Sequence, residues 1–232
     1  LFQNGETIGM IVAASNADYL VKRLRMYVLR SKVTIELADN REVAGFVGSA
    51  PTNLGNDTRV FELPCALPQT RIAAALPCGL GLAIVPKGTV SAGLEPLWWA
   101  ASAAAGQPWV FGETAERFTP HAVNLDLIGG ISFNKGCYTG QEVVSRIEHI
   151  GKTNRRTIVL AANDPLDLVA GVDLQDAQGQ TVATVVYSAK LADRTLLLAE
   201  VSTEVAQGEA AIETTVATMH RLPLPYGWNR KK

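Results

Sequence analysis

The sequence predicts an α+β fold, and two observations carry that expectation. A helical pattern near the start is followed by a pair of alternating, strand-like runs around turn residues. Beyond Arg156 the texture becomes almost wholly β, with short apolar runs parted by Gly, Asp and Pro. The expected domains are residues 1–153 and 154–232, divided near Gly151 and Asn154, where a helical pattern ends at a glycine and polar residues follow.

In order along the chain, residues 7–13 read as a strand. Ser15-Asn16-Ala17-Asp18 then resembles a capping box opening a helix to residue 29, with Leu20, Leu24, Tyr27 and Val28 at helical spacing. Residues 33–37 and 42–47 alternate around Asp39-Asn40 and predict a hairpin. Short strands are expected at residues 59–63, 71–75 and 81–85, and a helix at residues 94–105. The β-rich second part offers strands at residues 157–161, 181–187, 195–201 and 210–215, which predict a small barrel or sandwich.

Composition narrows the function classes little. The chain has 232 residues, 47% apolar and 19% charged, with a net charge of −1. Such a balance gives no global pull towards nucleic acid or an anionic membrane. No apolar run is long enough to span a bilayer. The opening Leu1-Phe2-Gln3-Asn4-Gly5 is no signal peptide and reads as a start inside a domain. Cys65, Cys78 and Cys137 form no Cys-x-x-Cys pair, which fits a reducing cytoplasm. His121, His149 and His220 lack metal-ligand spacing, so no zinc site is expected. A monomer is the default expectation.

The chemistry concentrates in Lys135-Gly136-Cys137-Tyr138-Thr139-Gly140-Gln141-Glu142. Thr139 and Glu142 fit a capping box, with Val143, Val144, Ile147 and Ile150 as the apolar face of the helix behind it. Cys137 therefore precedes a helix N-terminus, where the unsatisfied N–H groups and the macrodipole favour an anion. Lys135 adds positive charge, and Gly136 and Gly140 allow a tight turn and close approach of a ligand. Together these predict a thiol whose pKa falls from about 8.5 towards neutrality. Arg146, Lys152, Arg155 and Arg156 follow, either as a small anion-binding face or as a solvated helix end.

These residues carry a resemblance. The octapeptide reproduces a Lys-Gly-Cys-Tyr-x-Gly-Gln-Glu motif, led by Asn124-Leu125 and Gly129-Gly130-Ile131-Ser132-Phe133. With Tyr27, Ser31-Lys32-Val33-Thr34, Phe118-Thr119-Pro120 and residues 222–226, the chain resembles the YgfZ family of the glycine-cleavage T-protein (aminomethyltransferase) superfamily. Between Val47 and Leu94 no matching words occur.

The resemblance implies a T-protein-like folate-binding α+β body, incomplete at its N-terminus, followed by a small C-terminal β-barrel. It implies a cytoplasmic accessory factor that binds tetrahydrofolate or another folate and serves iron–sulfur cluster assembly or repair. Its partners would be iron–sulfur client enzymes or assembly proteins, with effects on tRNA modification, no membrane and no direct nucleic-acid contact. Cys137 and Lys135 would carry the chemistry, with a transient iron–sulfur cluster at the thiol. Trp98, Gly136, Tyr138, Gly140, Gln141 and Glu142 would line the folate site, although Trp98 and Trp99 also read as ordinary helix core. Catalytic turnover is not required. The alternative is a folate-dependent aminomethyl- or methyltransferase, which needs a carboxylate at the folate, and none is identifiable.

Overall fold

The computed structural model describes residues 1–52, 58–63, 79–90, 93–138, 140–149 and 153–228. The fold is α+β and dominated by antiparallel sheet. A small hairpin, β1 (Phe2–Asn4) and β2 (Thr7–Gly9), opens the chain and leads into α1 (Ala14–Arg25). The expected strand at residues 7–13 thus stops at Gly9, and the helix ends at Arg25. The expected cap also fails to form. Ser15 lies inside the first turn, and its Oγ accepts the Gly112 N–H at 3.0 Å instead of capping its own helix.

The three-stranded sheet has the order β3 (Arg41–Val47), β5 (Leu80–Pro86), β4 (Arg59–Leu63). The hairpin expected between residues 33–37 and 42–47 is therefore absent. Residues 33–37 form no strand, and β3 takes the distant β5 as its partner, with Val43 opposite Ile84. The strand expected at residues 71–75 lies outside the described residues, as do Cys65 and Cys78. Helix α2 (Glu95–Ala104) starts with Pro96 in its first turn, where a missing N–H costs nothing. It buries Ala100, Ala101, Ala103 and Ala104, small residues that let it pack closely on both larger sheets.

Helix α3 (Gln141–His149) precedes the six-stranded sheet. That sheet runs β10 (Ile212–Glu213), β11 (Thr218–Leu222), β6 (Arg155–Ala162), β9 (Thr195–Ser202), β8 (Thr181–Lys190), β7 (Asp173–Gln175). It curls into a half-barrel, and past its edges the Thr215 N–H reaches Gln175 O at 2.8 Å. The short helix α4 (Thr203–Gln207) follows β9, capped by Ser202 Oγ on the Val205 N–H.

Both faces of this sheet are buried. Ile158, Leu160, Leu197, Ala199 and Met219 fill the concave side. Val159, Leu198, Val186 and Tyr187 pack outwards against Ala103, Trp99, Trp109 and Phe118. A bulge in β8 between Val185 and Tyr187 puts Val186 and Tyr187 on the same outer side. Helix α2 is consequently clamped between the two larger sheets, and this arrangement fixes the surroundings of the candidate site.

Candidate functional site

Cys137 is an exposed free thiol in the turn that enters α3. The turn is closed by Gln141: the Tyr138 N–H donates to Gln141 Oε1 at 3.2 Å, and the Gln141 N–H returns to Tyr138 O at 3.1 Å. A side-chain acceptor thereby satisfies an amide ahead of the helix. Thr139, the residue expected to cap this helix, lies outside the described residues. The Lys135 ammonium stands 4.3 Å from the centroid of the Tyr138 ring, a cation–π contact. Lys135, Tyr138 and Gln141 are thus brought together around the thiol-bearing turn.

Gly136 and Gly140 border Cys137, and a Cβ on either would meet no atom within 4 Å. At Gly140 φ is +88°, a conformation that favours glycine. Among the described residues, nothing crowds the backbone at Gly136 or Gly140. Glu142 is exposed in the first turn of α3, where a carboxylate suits the positive end of the helix.

Trp98 has a different setting. It is 7% exposed, and its indole N–H donates to Gly81 O of β5 at 3.0 Å. A Cβ at Gly45 of β3 would overlap its ring, so the glycine makes room for the indole. Trp99 and Trp109 stand edge-on to it, with centroids at 4.8 and 5.6 Å. Trp99 in turn meets Phe111 and Tyr187. The Tyr187 hydroxyl donates to Gln107 O at 2.8 Å and lies 3.1 Å from Ser102 Oγ, which also accepts the Trp109 N–H. Burial pushes the Tyr187 phenol well above its ordinary range. The tryptophans form the wall between α2 and both larger sheets.

The sequence gives little sign of a buried polar cluster behind the Cys137 segment. Asn124, fully buried with φ +60°, donates from Nδ2 to Thr157 O at 2.7 Å and to the Tyr226 hydroxyl at 3.3 Å. That hydroxyl donates to Gly106 O at 2.9 Å, at the end of α2. Burial pushes the Tyr226 phenol up to about 12. Arg156 grips Asp126 through two bonds of 2.7 and 3.0 Å and donates to His121 O at 2.8 Å. The signal available in the sequence was the run of polar residues His121, Asn124 and Asp126 among apolar neighbours.

This cluster corrects the basic-face expectation. Arg156 is a half-buried anchor and Arg155 pairs with Glu200 at 2.6 Å, both on β6 rather than at a helix end. Lys152 lies outside the described residues. Among the described residues, no group of three His, Cys, Asp or Glu is placed to hold a metal, and no helix is long and apolar enough to cross a membrane.

Comparison with curated proteins gives consistent likenesses. The chain is 30% identical over 250 aligned residues to the tRNA-modifying protein YgfZ of Escherichia fergusonii, covering 97% of this chain and 76% of that protein. The protein of the same name from Shigella boydii serotype 4 matches equally, at 30% over 250 residues. That of Yersinia pestis (strain Pestoides F) is 29% identical over 252 residues, with the same coverage. No family model matches the chain.

Proposed function

We propose that this chain, which belongs to the YgfZ family, is a folate-binding accessory protein that supports iron–sulfur cluster assembly or repair and thereby tRNA modification. The name of its relatives, tRNA-modifying protein, supports the tRNA end of this reading. The family resemblance supports the folate and iron–sulfur parts. In this reading residues 1–153 form a T-protein-like body that receives tetrahydrofolate, and residues 154–232 form the barrel domain behind it.

The carrying observation is the exposed thiol of Cys137 in a turn bordered by two glycines with open space at their Cβ positions. The residues fit a folate in part. Open space lies at the Cβ positions of Gly136 and Gly140 on either side of Tyr138, whereas the Trp98 ring is enclosed by Gly45, Trp99 and Trp109 and offers no free stacking face. Bound tetrahydrofolate would supply a reduced pterin and a one-carbon carrier. Lys135, two residues before the thiol, rests over the Tyr138 ring, and the thiol precedes the N-terminal end of α3, where backbone N–H groups favour an anion. One thiol cannot complete the coordination of a cluster, so the cluster is cargo, and its other ligands come from a client enzyme or assembly protein.

The test is a tetrahydrofolate titration followed by tryptophan fluorescence on the native chain and on Cys137→Ser, with activity of an iron–sulfur tRNA-modifying enzyme measured in cells. Folate binding retained by Cys137→Ser, with enzyme activity lost, is the expected result. Absence of folate binding by the native chain removes the folate half. Full activity with Cys137→Ser removes the thiol.

A further inference from the structure

The chain touches one buried side chain on both sides of the Cys137 turn. His121 has its side chain 2% exposed, and neither ring nitrogen has a hydrogen-bond partner. Its ring centroid lies 6.4 Å from that of Phe133, ahead of the turn. Its Nε2 faces Glu148 Oε2 of α3, beyond the turn, at 3.7 Å. Behind the imidazole, Arg156 of β6 holds the His121 carbonyl and the Asp126 carboxylate, so the backbone of His121 is pinned to the six-stranded sheet. Among the described residues, the charged groups joined to His121 by an ion-pair or hydrogen-bond contact are Glu148 from α3 and Arg156 from β6, with Asp126 held by the same arginine.

From this geometry we propose that His121 is a positioning residue for Cys137, holding the two flanks of the thiol-bearing segment on one imidazole. A buried imidazole without a hydrogen bond is an exception that calls for a partner. The Glu148 carboxylate is within ion-pair reach but beyond hydrogen-bond reach. An inward movement of α3 by roughly 0.7 Å makes an N–H···O bond and satisfies Nε2. That bond draws the segment inwards and sets where Cys137 stands. The inference rests on Cys137 as the working thiol, but its own readouts are the segment's protection and alkylation.

The experiment compares amide hydrogen exchange of residues 131–149 and the iodoacetamide rate of Cys137 in the native chain, His121→Ala, His121→Gln, Glu148→Ala and the double alanine variant. Both single alanine variants are expected to speed exchange of residues 140–149, as a local opening does, and to change the alkylation rate of Cys137. The double variant is expected to do no more than either single one, because the two side chains act as a pair. His121→Gln retains most of the protection, since its amide can reach Glu148. Exchange in the β9 strand stays unchanged throughout.

Unaltered protection in the single variants, additive effects, or loosening spread equally over β9 overturns the proposal. So does a glutamine variant no better than alanine. If His121→Ala fails to fold, Glu148→Ala decides, because Glu148 is 25% exposed and its loss spares the core. Loss of folate binding or of cellular activity leaves these readouts unmoved, so failure of the functional reading is separable from failure of this one.

Discussion

Replacing Tyr226 by Phe tests the buried cluster that ties the C-terminal segment to the end of α2. The substitution removes the donor to Gly106 O at 2.9 Å and the acceptor of Asn124 Nδ2 at 3.3 Å. Asn124 keeps its 2.7 Å bond to Thr157 O, so the orphan left behind is mainly the carbonyl of buried Gly106. One buried carbonyl without a donor costs about 1–2 kcal/mol. The pH dependence follows from burial, which raises the phenol from 10.0 to about 12. A pKa raised on folding gives stability that is complete below the unfolded value and lost as pH climbs through the folded one. At about 1.4 kcal/mol per tenfold, roughly 3 kcal/mol is at stake in all, and about half of it is gone at pH ~11. Burial raises the Tyr187 phenol in both proteins, and only its smaller coupling to the Tyr226 charge is lost in the variant. Urea unfolding followed by circular dichroism should therefore show Tyr226→Phe less stable by about 1–2 kcal/mol at pH ~8 and nearly level with the native chain at pH ~11. A gap that stays constant or widens between the two pH values refutes the reasoning.

Two further substitutions probe the walls of the site. Gly45→Ala puts a methyl into the Trp98 ring and should cost about 1–3 kcal/mol of overpacking, read as a lower urea midpoint together with a shifted tryptophan emission. An unchanged spectrum would mean that Trp98 does not rest on β3. Arg156→Ala leaves Asp126 buried without its cation and should cost about 3–5 kcal/mol, with Arg156→Ala/Asp126→Leu recovering part of the loss in the same unfolding assay. A double variant no better than the single one would show that the charge of Asp126 is not the source of the cost.

The second half of the chain was legible because its strands are buried on both faces. Ile158-Val159-Leu160-Ala161 and Leu196-Leu197-Leu198-Ala199 each place alternate residues in two different cores, so every position is apolar and the run stands out. Strand β11 went unnoticed because Thr218-Met219-His220-Arg221-Leu222 carries few apolar residues, and its pairing with β6 supplies what the pattern lacks. In the first half the alternation of residues 42–47 was read correctly as a strand, but alternation says which face is buried and nothing about the neighbour. The neighbour is β5, brought in from far along the chain. Ser15 misled for a related reason: its hydroxyl serves Gly112, a long-range use that no local motif encodes. At the candidate site, Gly136 and Gly140 stand ahead of α3, and Gln141 opens it. The enclosure of Trp98 depended on Gly45 and Gly81, which the linear reading had no reason to connect with it.

The same asymmetry bears on how Cys137 can work. The six-stranded sheet holds most of the fully buried large side chains, among them Leu160, Leu196, Leu197, Leu198 and Met219, whereas Val144 is the buried residue of α3. Local opening costs least where few apolar groups are buried. Helix α3 and the turn before it can therefore move against the body while β6, β8 and β9 stay closed. Under the proposed function, a thiol that accepts a cargo and releases it to a partner benefits from that division, because its segment can exchange ligands without the core being disturbed. The division also gives weight to the flanks of the turn, where Phe133 and Glu148 both meet His121.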